Sequence, residues 1–469
     1  MPPLSGIGDN QHETENGEDM TIVRGGLRMR KVVLGLAALM TLATAPAEGQ
    51  QNIEALQQQV EQLRQQLARD TTQIAELRRQ IEVLTRQMET LSLGEGVAPA
   101  DSSIFGFAPA ASKVYRVGQG VSIGGYGEVL YERFAEETES NAASGRTDAF
   151  DALRAILYLG YKFNDRILFN SELEWEHGST GSGGEASIEF AYVDYLLTPS
   201  VGLRGGLLLV PMGITNELHE PPTFLGTTRP LVEQAIIPTT WRANGLGFFG
   251  QNGGFAYRAY AITSLDAGLG FSAAGLRGGR QKGARERAED FSFVGRLDYT
   301  GVPGLLVGGS GLIGQTGQGR LVSGAEVDGT TTILEAHADL ALGGLDARGL
   351  YAIANVDDVA ELNALRNLTG AGSIGEQMTG GYIQLGYDVL ATLETSHELS
   401  PYVRYETLNT QAEVPTGFSA SPATDRTAWL IGTMWKPISE VAVKVDYQIH
   451  KNQAQTGVNQ LNAGLSYLF

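Results

Sequence analysis

GVNQLNAGLSYLF, residues 457–469, decides how the rest of the chain is read. Leu461, Ala463, Leu465, Tyr467 and Phe469 fall on one face, and Gln460, Asn462, Gly464 and Ser466 on the other. A period of two over this length is a strand, because successive side chains of an extended backbone point to opposite sides. One face is apolar and the other small and polar, so the strand is not buried on both sides. A soluble sandwich edge would satisfy the pattern, and so would a strand between lipid and water in a transmembrane barrel.

The same alternation recurs upstream. In 153–163, Leu153, Ala155, Leu157, Leu159, Tyr161 and Phe163 share a face. In 166–176, Ile167, Phe169, Leu173 and Trp175 oppose Arg166, Asn170, Glu172, Glu174 and Glu176. In 439–450, Val441, Val443, Val445, Tyr447 and Ile449 oppose Lys444, Asp446, Gln448 and His450. Charge at every second position is costly in a packed core and cheap in a wet lumen.

Connections between these segments alternate in length. Tight turns fall at 164–165, 198–200, 251–253, 301–303, 343–344 and 437–438, with a longer one at 391–397. Long stretches fall at 135–149, 177–185, 210–240, 264–288, 315–330, 356–375 and 410–425. Short turns at one end and long loops at the other are the asymmetry of an outer-membrane barrel. The expected fold is therefore an all-β transmembrane barrel of about sixteen antiparallel strands over 113–469. The 61 glycines suit tight turns and close strand packing, and no run of about 18 apolar residues offers a membrane helix.

The N-terminal quarter reads differently. Residues 1–47 combine an acidic extension, wrong for an export signal, with Met29-Arg30-Lys31, the apolar run 32–43 and Ala45-Pro46-Ala47. That second part predicts a secretory signal cut after Ala47, with translation starting at Met20 or Met29. Residues 48–93 predict an α-helical coiled coil in the periplasm. Ile53, Val60, Leu67, Ile74, Ile81 and Met88 occupy position a. Leu56, Leu63, Leu77, Leu84 and Leu91 occupy d, with Asp70 the one break. Such a seam, about 60 Å long, needs a partner helix. β-branched a residues with Leu at d lean towards two strands. Residues 94–112 read as a Gly/Pro/Ala linker.

Composition excludes several functions. With 53 acidic against 34 basic residues the net charge is −19, which excludes nucleic acid as a partner. Without cysteine there is no disulfide framework or thiolate metal site. His337 with Glu335 and Asp339, and His450 with Asp446, face the lumen by phase and read as lumen filling, so no metal or cofactor is expected. A lipase would need a Ser–His pair on the lipid face, and no strand histidine lies there, so no enzyme is expected.

The connection 210–240, which from Pro211 to the following Trp241 reads PMGITNELHEPPTFLGTTRPLVEQAIIPTTW, is too apolar for a solvated loop. Met212, Ile214, Leu218, Phe224, Leu225, Leu231, Val232, Ile236 and Ile237 predict that it folds back against the barrel wall. Its prolines stiffen it. A long third loop on this pattern of turns resembles sixteen-stranded bacterial porins. The 212–241 stretch, with His219-Glu220-Pro221-Pro222-Thr223-Phe224, resembles the phosphate-selective porin O and P family, and the heptads resemble the rod of dicarboxylate-type porins. The final Phe469 resembles the assembly signal of outer-membrane proteins. The resemblance implies an outer-membrane porin for small hydrophilic or anionic solutes, assembled as a homotrimer. The open alternative is a structural anchor whose rod contacts peptidoglycan.

Counting from the tight turns, Arg204, Arg258, Arg296, Arg348, Arg404 and Lys444 face inward at a common height and form a basic belt. Across from it the loop presents Glu217, His219, Glu220, Arg229 and Glu233 as the constriction. Two outcomes stay open: a transverse field with anion preference, or ion pairs made with Asp194, Asp298, Asp346, Glu406 and Asp446.

Overall fold

The computed structural model describes residues 60–67, 69, 73, 79, 103–179, 181 and 183–469. The chain divides into two units, Met1–Met88 and Glu89–Phe469. In the first, residues 60–67 are helical, with Val60 and Leu63 exposed. The signal region and most of the heptad stretch, Asp70 included, lie outside the described residues.

The second unit contains a closed antiparallel barrel of sixteen strands. These are β1 Gly120–Phe134, β2 Ala149–Lys162, β3 Ile167–Glu176, β4 Glu185–Thr198, β5 Val201–Leu209, β6 Arg242–Asn252, β7 Phe255–Thr263, β8 Phe291–Val302 and β9 Leu305–Gly314. After a small hairpin, β10 Leu321–Val322 and β11 Ala325–Glu326, the wall continues. It runs through β12 Thr331–Leu342, β13 Leu345–Val356, β14 Gln377–Tyr387, β15 Glu398–Glu413, β16 Asp425–Ile438, β17 Val441–Asn452 and β18 Gln460–Leu468. Closure is made by β1 and β18, registered from Tyr126 opposite Leu468 to Phe134 opposite Gln460. Closure leaves no unpaired strand edge, the condition for a sheet to survive in lipid.

The alternation read from sequence sets the two faces. Leu461, Leu465 and Tyr467 are exposed on the outside, while Asn462 and Ser466 are buried within. Outward large side chains such as Phe248, Phe293, Ile383 and Ile431 are more than half exposed. A continuous apolar exterior of this kind has no aqueous explanation. In β3 and β17 the inward set is Asn170, Glu172, Glu174, Lys444, Asp446 and Gln448, each buried.

Short turns collect at one end. Gly343 and Gly344, with φ of 59° and 88°, make the two-residue turn that only glycine enters without strain. The turn placed at 437–438 lies instead at Ser439-Glu440, because Ile438 still pairs with Val441 after an irregularity beyond Trp435. The longest connection at this end, 388–397, is held by Asp388, which accepts from the Leu390 and Leu399 amides.

Residues 103–112, read above as linker, are packed. With 113–117 they enter the lumen from the short-turn end, where Lys162 Nζ donates to the Val117 carbonyl. Phe107, Ala108, Ala110, Ala111 and Val114 are buried there, and the Phe107 ring lies 5.5 Å from that of Tyr192. The apolar residues of this stretch are too many to remain in water once a wall of β3 and β4 side chains is beside them.

Candidate functional site: the lumen constriction

The loop between β5 and β6 turns into the barrel and crosses it. Its apolar residues explain why: Met212, Ile214, Leu225, Val232, Ile236, Ile237 and Trp241 are all buried. Asn216 joins its two ends, donating from Nδ2 to the carbonyls of Val210 (2.6 Å) and Trp241 (3.0 Å) and accepting from the Trp241 amide (2.6 Å). Pro221–Thr223 forms a 3-10 turn, and Val232–Ala235 a single helical turn.

The far wall grips the crossing loop. Lys444 Nζ on β17 donates to the carbonyls of Pro221, Phe224 and Gly226 at 2.7, 2.7 and 2.8 Å. Asp446 accepts from the Thr227 amide at 2.8 Å, and Glu406 on β15 from the Leu231 amide at 2.6 Å. Arg404 donates to the Thr228 carbonyl. Glu233 turns back into the loop, accepting from the Thr215 amide and hydroxyl and from the Tyr382 hydroxyl on β14. Backbone groups that a buried loop would leave unpaired are thus satisfied by wall side chains, which is what permits the loop to be buried.

All six residues of the belt face inward and are buried, and five of them are ion-paired. Arg204 meets Asp194 at 2.8 Å, with its guanidinium 4.2–4.6 Å from the rings of Phe107, Tyr192 and Phe249. Arg258 and Arg296 share Asp298, each at 2.8 Å, and both approach Glu217 of the loop, at 3.2 and 3.8 Å. Arg348 meets Asp339 and Arg404 meets Glu406, both at 2.7 Å. Lys444 is spent on loop carbonyls. Of the named acidic neighbours, Asp346 lies near Gln384 rather than against an arginine. Loop and wall charges meet directly at Glu217, while Arg204, Arg348 and Arg404 are paired with carboxylates of the wall itself.

The loop's other charged residues take different partners. Glu220 accepts from the amides of Ala110 (3.1 Å) and Ala111 (2.9 Å), tying the loop to the entering segment. Burial pushes its carboxyl up to about 7, although those two amides hold it down. His219 stands between the Asn216 carbonyl and Glu172.

Arg229 borders a cavity of about 170 Å³ beside β1 and β2, lined also by Glu128, Arg154, His219, Phe224 and Arg277. Burial first, and then Arg154, lowers the Arg229 guanidinium from its usual range. Burial, followed by Arg280 and Arg229, lowers Arg277 to about 9. This concentration of arginine was not read from sequence. Arg277 comes from the loop after β7 and is anchored on the Thr239 carbonyl. Arg154 was legible only as an inward phase in β2, paired with Glu128 at 3.5 Å.

No family model matches the chain. It is 36% identical over 376 residues to an uncharacterised protein of Aquifex aeolicus (strain VF5), covering 78% of this chain and 83% of the relative. Among solved structures it is similar to Salmonella typhi OmpF in complex with daunomycin, at 12% identity and a TM-score of 0.49, over 75% of this chain and 98% of that one. It is also similar to an anion-selective porin from Comamonas acidovorans, at 15% identity and a TM-score of 0.46, over 75% of this chain and 100% of that one.

Proposed function

We propose that this chain, which belongs to the same family as the Aquifex aeolicus protein, is an outer-membrane porin that passes small hydrophilic solutes by diffusion. One observation carries the reading: a loop crosses the lumen and is fastened to the opposite wall at Lys444, Asp446, Glu406 and Tyr382. A barrel serving only as an anchor has no use for a braced crossing, whereas a pore uses one to set its cut-off. The apolar exterior places the barrel in lipid, and the coiled coil read at 48–93 would lie in the periplasm.

We assign a weak anion preference to Arg229 and Arg277 beside the cavity at β1 and β2, since the belt, like Arg154 with Glu128, is paired and cancels its own field. Trimeric assembly is part of the same proposal, and mass measurement in detergent checks it, with a monomer refuting it. Purified protein in a planar bilayer should carry a steady open current. A folded but silent barrel would instead favour the anchor reading, for which there is one specific observation: residues 103–117 and the loop together occupy much of the lumen.

A further inference from the structure

We propose that Glu172 on β3, Glu189 on β4 and His219 on the crossing loop bind one divalent first-row cation of the zinc class, which clamps the loop to the wall. One ligand atom from each residue lies within 4.8 Å of the others, and all three side chains are buried. The proposal does not depend on whether the barrel conducts.

Three features separate this cluster from an ordinary lumen ion pair. The first is an orphan. Glu172 is fully buried, and its Oε2 has no hydrogen-bond partner. Both oxygens of Glu217 share that condition but have Arg258 and Arg296 beside them; an unpaired carboxylate oxygen is costly in such a place, and at Glu172 it points to an occupant.

The second is the imidazole. His219 Nδ1 lies 2.9 Å from the Asn216 carbonyl oxygen, which can only accept, so Nδ1 carries a hydrogen. In the neutral ring Nε2 then presents its lone pair to Glu172 Oε1, 3.1 Å away. Two lone pairs at that distance require a positive centre between them. A proton on Nε2 would serve Oε1 but leave Oε2 as it is, whereas a metal ion draws on both atoms of the carboxylate. A histidine that gives its second N–H to a backbone carbonyl is also the usual orientation of a metal ligand.

The third is spacing. Nitrogen and oxygen ligands each about 2.1 Å from one tetrahedral ion stand about 3.4 Å apart. The His219–Glu172 separation of 3.1 Å lies a few tenths of an ångström inside that, within reach of a small side-chain adjustment. Arg242 and Thr240 both donate to Glu189 Oε1, and the Glu189 carboxyl also meets that of Glu174, so Glu189 as third ligand would exchange that contact for the ion. Arg229 and Arg242 are the protein's own cations at this place and the competitors of the metal. One imidazole with two carboxylates suits a zinc-class ion better than calcium or magnesium, which take six or more oxygens or keep most of their waters.

The test uses the full chain folded in detergent, stripped with chelator and titrated with Zn²⁺ or Co²⁺. Bound metal is measured by elemental analysis, and Co²⁺ geometry by visible absorption. We expect one ion per chain, and His219→Gln and Glu172→Gln to weaken binding at least about tenfold. Glu335→Gln, at the separate His337–Asp298 cluster, should leave it unchanged. Binding far below one ion per chain, or stoichiometric binding that survives His219→Gln, overturns the proposal. Should a variant not fold, anomalous diffraction at the zinc edge from the unaltered protein decides: a peak between Glu172 and His219 supports the site, and its absence ends it.

Discussion

Asn216 offers a clean way to loosen the crossing loop, because it carries no charge and is fully buried. In Asn216→Ala the Trp241 amide loses its acceptor outright. The two carbonyls lose less, since the Val210 amide still donates to Trp241 and the Met212 amide to Val210. One orphaned buried donor costs about 2 kcal/mol, and two shared carbonyl bonds about 0.5 kcal/mol each, for a total of about 3 kcal/mol. Charged to the loop's local opening, that raises the open fraction by about 150-fold. Amide exchange of residues 210–241 should speed up by that order, while strand amides keep their rates. Single-channel current should become noisier, with the unfolding midpoint of the barrel nearly unchanged. Unchanged exchange at Trp241 would refute the reasoning and show that the wall contacts of Lys444 and Asp446 hold the loop without help from its base.

Removing residues 218–236 should raise conductance and admit larger solutes while the barrel still assembles; an unchanged size cut-off would place the limiting width elsewhere. Replacing Arg229 and Arg277 together with alanine should shift the reversal potential in a salt gradient towards cations, whereas Arg348→Ala, which removes a paired charge, should shift it less. Asp194→Asn leaves the Arg204 guanidinium buried without its carboxylate, which should cost about 3–5 kcal/mol in denaturant unfolding.

The barrel was legible because its physics is local. Each strand must show one face to lipid and one to water, so period-two alternation survives in any short window, as in 457–469 and 441–449. Turn positions were legible to within two residues except at 388–397, since glycine pairs such as 343–344 are demanded by backbone geometry alone. What 103–117 would do was not legible. Its Gly, Pro and Ala content resembles that of a linker, and only the aromatic wall made by Phe190 and Tyr192 on β4 gives Phe107 a place to pack. The helix Val359–Arg366 and the hairpin of β10 and β11 lie inside stretches read as plain loops. Both are too short to announce themselves by periodicity.

Phase gave the side a charge faces and could not give its partner. Arg204, Arg258 and Arg296 were placed inward by counting from turns, and they are inward. Their meaning changed because Asp194 lies across the strand pair from Arg204, and because Glu217 reaches Arg258 and Arg296 from a loop folded over them. Pairing across neighbouring strands can be anticipated once register is known, as with Asp339 opposite Arg348. Contacts between the wall and an inserted loop cannot, since nothing in the sequence near His219 refers to Glu172 or Glu189. For the same reason the lumen histidines at 337 and 450 could be read only as lumen filling, while the candidate cluster at 219 was not legible at all. His337 already has Glu335 and Asp298 at hydrogen-bond distance, and His450 has Gln448. At His219 a carboxylate oxygen of Glu172 is left without a hydrogen-bond partner, and that, rather than any spacing of residues along the sequence, marks it as the place where a cation would bind.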